Sequence, residues 1–200
     1  GRIAADIDDS LGRMGIDRID LYWLHRDDPR VPAGEIVDCL NAEVAAGRIR
    51  YFGGSNWSGA RLAEANEYAA AKGVQGFVAS QPCWSAASKP MTRTMRELSA
   101  EDWEFHRRTG MPVIPYSPTA QGFFATNGER GKAYDLPANR ARLAKVNAVA
   151  KRLGATPNQV ALAWLLAQPF PVIPILGTTR IEHLLDALGA AELEVDLAEL

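Results

Sequence analysis

Gly47-Arg48-Ile49-Arg50-Tyr51-Phe52-Gly53-Gly54-Ser55-Asn56 is the stretch that decides the fold class. Before it, residues 33–46 carry Ile36, Leu40 and Val44 at helical spacing, and Gly47 stops that pattern as a C-cap glycine would. The run from Arg48 to Gly53 is too short and too β-rich to continue a helix, and it delivers the chain to a polar pair, Ser55-Asn56. A second helical pattern, about Gly59 to Ala71, follows at once. Helix, short strand, polar strand end and helix in that order describe a βα unit of a parallel sheet.

The same order recurs on both sides of this stretch. Upstream, a helix over about Ala4 to Met14 precedes the strand Arg18–Leu24. Downstream, a strand over Gly76–Ser80 leads into a long loop from Gln81 to Leu98, and Ser99 with Asp102 three residues on predicts a capped helix. The strand Met111–Tyr116 precedes a glycine-containing loop from Gln121 to Gly131. Residues 139–153 predict a helix, and another starts at Pro157 with Thr156 as N-cap and Gln159 completing a capping box. A last strand, Pro171–Leu176, runs into Gly177-Thr178-Thr179 and a helix through Leu188. The result is one α/β domain over residues 1–200 with five strand-then-helix units. A closed (β/α)₈ barrel needs eight units and about 250 residues. Three units are therefore expected to precede Gly1, and both ends are expected to be cut, since the chain opens without methionine and stops at Leu200 as a new helical pattern begins. An open, doubly wound sheet of five strands is the competing architecture, but the GxGxxG turn it usually carries is missing.

Composition narrows the class of partner. With 47% hydrophobic and 23% charged residues the chain can bury a core, and a net charge of −2 spread along its length recruits neither nucleic acid nor an anionic membrane. A small molecule is the expected ligand. Cys39 and Cys83 form no CxxC or Cys/His cluster, which points to a reduced protein without a metal site. No apolar run approaches the roughly 20 residues that cross a bilayer and no signal pattern opens the chain, so a cytoplasmic location is expected.

Polar residues gather at one place in each unit. His25, Ser55-Asn56, Gln81, Tyr116-Ser117 and Thr178-Thr179 each follow an apolar run, at the C-terminal strand ends where α/β barrels carry function. Singly, each has an ordinary explanation: a hydrogen-bonded structural histidine, turn chemistry, a packed tyrosine, or a helix cap with Glu182 three residues after Thr179. Together they are expected to converge on one mouth. By the two-residue period, Trp23, Leu21 and Ile19 share the face of His25, while Tyr22, Leu24 and Asp20 face helices, which makes Tyr22 a poor catalytic acid. Gly177-Thr178-Thr179 opening a helix, with Arg180 beside it, is expected to hold a phosphate-bearing ligand.

Four motifs in order and spacing resemble the aldo-keto reductase superfamily: Asp20–Arg26, Gly47–Trp57, Pro115–Pro118 with Gln121-Gly122, and Pro174–Thr179. The resemblance covers the whole chain and implies a (β/α)₈ TIM barrel represented by about strands 4 to 8. It also implies hydride transfer between NADP(H), or NAD(H), and an aldehyde or ketone. In that family the residues matched by Ser55, Asn56 and Gln81 hydrogen-bond the nicotinamide carboxamide, and the residue matched by Tyr116 stacks on the ring. The residues matched by Ser117, Gln121 and Gly122 lie over the pyrophosphate, and those matched by Gly177, Thr178, Thr179 and Arg180 take the adenosine phosphate. His25 matches the catalytic histidine. The family's proton donor, a tyrosine tuned by a lysine and an aspartate, comes from the first half of the barrel and has no matching position here. Two positions near the adenosine end depart from the family: a common asparagine is Ala187 and a common basic residue is His183. Trp57, Trp84 and the segment Ser85 to Leu98 are candidates to border a substrate cavity. Substrate identity and oligomeric state stay open. So do two other readings: a nicotinamide-binding regulatory subunit on the same fold, and a naturally short chain whose open strands pair with another chain.

Overall fold

The computed structural model describes residues 2–200, which form two compact units. The first runs to Gln81 and adds Ser99–Met111; the second comprises Pro82–Leu98 and Pro112–Leu200.

In the first unit, α1 (Arg2–Met14), β1 (Ile19–Leu24), α2 (Ala33–Ala45), β2 (Ile49–Ser55), α3 (Gly59–Lys72), β3 (Ser80–Gln81) and α4 (Ala100–Thr109) follow one another. The strands form a parallel sheet in the order β1-β2-β3, with Trp23 opposite Gly53, Gly54 opposite Ser80 and Ser55 opposite Gln81. Gly47, at φ 74°, lets the chain leave α2 and turn into β2, as its place after the helical pattern predicts. The core lies between sheet and helices: Ile7, Val37, Leu40, Leu62 and Phe105 pack with Phe52 and Phe77, whose rings meet edge to face at 5.0 Å. Tyr22 and Leu24 lean on this cluster, so Tyr22 is turned toward the helices as alternation predicts. Two residues break the alternation. Ile19 joins the core at the strand start, and Asp20 is exposed, where its charge stays hydrated. On the other face of the sheet Trp23 covers Gly53, where a Cβ would lie 2.4 Å from the indole. The expected strand over 76–80 contracts to Ser80–Gln81, although Val78 N–H donates to the Phe52 carbonyl (3.0 Å) and Gly54 N–H to the Ala79 carbonyl (3.1 Å).

The second unit is built on α5 (Pro137–Leu153), α6 (Pro157–Leu166) and α7 (Ile181–Leu188). Trp84 is buried against Trp164 and Phe170, at ring distances of 5.6 and 6.0 Å. The two strands expected over 111–116 and 171–176 do not form. They are extended segments joined by a single parallel bridge, Val113 with Val172. Proline chemistry explains the difference. Val113 N–H donates to Pro171 O (2.9 Å), Ile173 N–H to Val113 O (2.9 Å) and Ile175 N–H to Pro115 O (3.0 Å), but Pro115 has no N–H to return. The ladder loses the rung that a Pro115 N–H would supply. Among the described residues the expected five-stranded arrangement is thus a three-stranded sheet plus two proline-interrupted segments.

Candidate functional site

Three parallel strand ends meet in the first unit. His25 follows β1, Ser55 ends β2 and Gln81 ends β3, and hydrogen bonds tie the ends together. The Gln81 carbonyl accepts from the Ser55 hydroxyl at 2.9 Å and from the Asn56 N–H at 3.2 Å. The Asn56 side-chain amide donates to the His25 carbonyl and to Ser55 Oγ, each at 3.1 Å. Ser55 and Asn56 are buried, and Asn56 sits at φ 60°, a left-handed conformation that asparagine tolerates better than most residues. That turn is what swings the amide across toward β1. The expected set of His25, Ser55, Asn56 and Gln81 is therefore one locked cluster, with the His25 side chain exposed.

Beside it lies a charged support. Arg61 Nε bonds Asp27 (3.3 Å), its guanidinium also reaches Glu64 and the Val31 carbonyl, and it lies 5.5 Å from the Trp57 ring centre. Burial pushes the Asp27 carboxyl upward, against the opposing pull of Arg61. Burial also raises the Tyr22 hydroxyl, reinforced by Asp6 and Glu43, which disfavours its ionisation. Trp57 is 3% exposed and packs on Phe77, and Trp84 is likewise a core residue.

The second unit contributes a strained loop and a cleft. Ser117, Ala120 and Gln121 have φ of 55°, 49° and 55°, and Gly122 follows at 84°. Left-handed backbone at three non-glycine residues costs about 1–3 kcal/mol each and persists only where the surroundings enforce it. The enforcement is visible. Tyr116 is held by N–H donation to Pro82 O (3.0 Å), while its carbonyl accepts from Trp84 N–H (3.3 Å). Below the loop, the buried Tyr134 hydroxyl meets Cys83 Sγ at 3.8 Å and hydrogen-bonds Ser117; burial raises the Tyr134 hydroxyl and the Cys83 thiol.

Gln121, Gly122, Gly177 and Thr178 line one cleft of about 580 Å³. Tyr116, Ser117, Thr179 and Arg180 lie outside it. α7 begins later than the threonines suggest: its N-cap is Arg180, without a side-chain cap, while Thr178 Oγ1 accepts from Arg180 N–H at 3.1 Å. Arg180 itself faces Glu182 at 3.4 Å. Sequence reasoning missed several lining residues, among them Thr126, Arg130, Thr156, Asn158 and Asp186. Thr156 was legible only as a helix cap, which it is, with both capping-box bonds present; its hydroxyl also donates to Asp186 Oδ1 at 2.7 Å. His183 and Ala187, the two departures near the end of the chain, line the same cleft. Among the described residues no group of three His, Cys, Asp or Glu side chains is disposed to hold a metal, and no helix is long and apolar enough to cross a membrane.

Comparison with known proteins gives the family and the fold. The sequence profile of the Aldo/keto reductase family matches residues 1–200. The chain belongs to the aldo/keto reductase family. It is 32% identical over 203 residues to the "uncharacterized oxidoreductase YrpG" of Bacillus subtilis, a match covering 98% of this chain and 60% of that protein. It is 32% identical over 207 residues to "probable aldo-keto reductase 1" of Glycine max, with 95% and 56% covered. Among solved structures, the thermostable aldo-keto reductase Tm1743 in complex with the inhibitor epalrestat superposes with a TM-score of 0.76 at 28% identity, over 98% of this chain and 63% of that one. The fold is that of an aldo-keto reductase, and the chain spans about 60% of the length of these relatives.

Proposed function

We propose that this chain is the nicotinamide-binding portion, about strands 4 to 8, of a (β/α)₈ oxidoreductase that interconverts carbonyl compounds and alcohols with NADP(H), or NAD(H). Family membership supports the reaction class. The observation that carries the reading is the locked cluster of His25, Ser55, Asn56 and Gln81 at three adjoining parallel strand ends. The loop from Ser117 to Gly122 is held in a strained shape, and the cleft that Gln121 and Gly122 line is roomy enough for an adenosine phosphate and has the cation Arg130 on its lining.

In this reading Asn56 and Gln81 orient the carboxamide, and Ser55 fixes Asn56. Tyr116 covers the ring face, Ser117, Gln121 and Gly122 hold the pyrophosphate, and Gly177, Thr178, Thr179 and Arg180 hold the adenosine phosphate. The bound nicotinamide supplies the hydride. His25 presents its imidazole to the substrate oxygen, where a hydrogen bond stabilises the charge that develops as the carbonyl is reduced. Its backbone carbonyl, held by the Asn56 amide, keeps the residue in place. The tyrosine, lysine and aspartate that complete the family's proton relay have no counterpart in these 200 residues, so this stretch of chain by itself is expected to bind cofactor without turning over.

NADPH titration of the protein is expected to quench tryptophan fluorescence, and Tyr116→Ala to raise the dissociation constant about five- to tenfold through loss of ring contact. An unchanged constant overturns the stacking role; no quenching and no calorimetric binding overturns the cofactor reading.

A further inference from the structure

Among the described residues Tyr134 is the largest side chain sealed from water, at 1% exposure, and the reading above gives it no part. A buried phenol that only fills space could as well be a phenylalanine, since its hydroxyl must be satisfied wherever it is enclosed. Here the hydroxyl joins two segments: it lies 3.8 Å from Cys83 Sγ and hydrogen-bonds Ser117. The rest of the residue is pinned. Its N–H donates to the Gly131 carbonyl (2.8 Å), its carbonyl accepts from the buried Asn139 amide (2.7 Å), and Lys89 Nζ sits 5.1 Å from the ring centre.

A tyrosine beside a lysine suggests a proton donor. Burial argues the reverse: it pushes the Tyr134 hydroxyl above its ordinary value, and Cys83 adds to the effect. A side chain 1% exposed also offers a substrate oxygen no approach. Tyr134 therefore acts through what it holds, and what it holds is strained. Ser117 has φ 55°, although it is neither glycine nor asparagine. Its carbonyl accepts from Ala120 N–H at 3.0 Å, so the turn at Ser117 sets the start of the loop to Gly122. Further along, the Ala120 carbonyl closes on Gly131, three residues before Tyr134. One short segment, Gly131 to Tyr134, thus braces the loop at two points.

We propose that Tyr134 is a positioning residue for the cofactor, its hydroxyl holding Ser117 in the left-handed turn so that the Ser117–Gly122 loop keeps the shape that receives the pyrophosphate. The proposal rests on the cofactor reading above and adds to it a residue that touches no ligand. Its size follows from populations. Where loss of the hydroxyl lets Ser117 return to negative φ in about nine molecules of ten, the apparent dissociation constant rises about tenfold. That is the order of bias one left-handed residue with a Cβ carries.

Calorimetric titration with NADPH tests it. Tyr134→Phe keeps the ring and is expected to raise the dissociation constant about tenfold. Ser117→Ala, which removes the hydrogen bond but keeps the strained backbone, is expected to do the same. Ser117→Gly is expected to do less, because glycine takes a left-handed φ at no steric cost. In the Ser117→Gly background, adding Tyr134→Phe is expected to change the constant less than about twofold, since the turn no longer needs holding. A tenfold loss that persists in that background means the hydroxyl supports the whole unit, and it overturns the positioning role. A Tyr134→Phe protein that binds as tightly as wild type, or does not fold, overturns it too. Equal weakening by Ser117→Ala and Ser117→Gly also does so, because backbone strain would then play no part. Failure of the wild-type protein to bind either NADPH or NADH overturns the cofactor reading itself, which separates the two failures.

Discussion

Gly131 and Gly154 share a left-handed backbone, at φ 65° each, but differ in what surrounds them. A Cβ on Gly131 would meet the Ala120 carbonyl oxygen at 2.4 Å, whereas Gly154, at the end of α5, has nothing within 4 Å. Gly154→Ala is expected to cost about 1 kcal/mol, the conformational term alone. Gly131→Ala adds a backbone collision in the segment packed under the strained loop and is expected to cost about 2–4 kcal/mol. Urea unfolding of the two variants side by side tests this; equal losses would mean that the loop yields freely and is not the enforced shape described here. The same loop marks the limit of what sequence conveys. Gln121 and Gly122 were readable as members of a phosphate loop, but left-handed φ at Ser117, Ala120 and Gln121 was not, because nothing local asks for it and packing imposes it.

At the scale of elements, α4 shows how one carboxylate can serve two purposes. Ser99 Oγ accepts from Asp102 N–H (3.1 Å) while the Asp102 side chain returns to Ser99 N–H and also takes Gly59 N–H at 2.6 Å, at the start of α3. Ser99→Ala is expected to cost about 1 kcal/mol, as a lost N-cap does. Asp102→Ala strands donors on two helices and is expected to cost about 2–3 kcal/mol. A smaller effect than that of Ser99→Ala, measured by denaturant midpoint, would sink the bridging role. His106 on the same helix gives a pH dependence. Its Nδ1 donates to the Met111 carbonyl at 2.9 Å, and burial pushes its pKa below 6.5, outweighing the opposing effects of that hydrogen bond and of Asp102. A lowered histidine pKa means that the unfolded chain takes up the proton first. The stability is present above pH 6.5 and is lost as pH falls through the folded-state value. As pH falls below 6.5, His106→Gln should show a flatter loss of stability than wild type; parallel curves would refute it. Both capping boxes were legible in the sequence, since they depend on residues three apart. The strands over 111–116 and 171–176 were not, because Pro112 and Pro115 in one and Pro171 and Pro174 in the other preserve the β-rich look of a segment while removing N–H groups that a ladder needs.

At the scale of the whole molecule, α7 carries a stripe that none of the described residues covers. Ile181, Leu184, Leu185 and Leu188 recur at the helical period and are all exposed, Ile181 at 73% and Leu185 at 63%. In a water-facing helix that pattern is inverted, since the apolar face of an amphipathic helix belongs against a neighbour. The chain spans about 60% of the length of its relatives, and on the reading proposed above, five units of an eight-unit barrel would leave such a helix without the element that flanks it. The two observations together give a differential prediction. In the 200-residue chain Leu185→Glu should leave the unfolding free energy within about 0.5 kcal/mol, because an exposed side chain loses no burial. In a polypeptide carrying three preceding βα units the same substitution should cost about 2 kcal/mol or more, because there it places a charge where a leucine is buried. Denaturant unfolding of both lengths, with and without Leu185→Glu, measures the difference directly. If the substitution is tolerated equally in both, the stripe is not a barrel seam, and the assignment of this chain to strands 4 to 8 loses its support from packing.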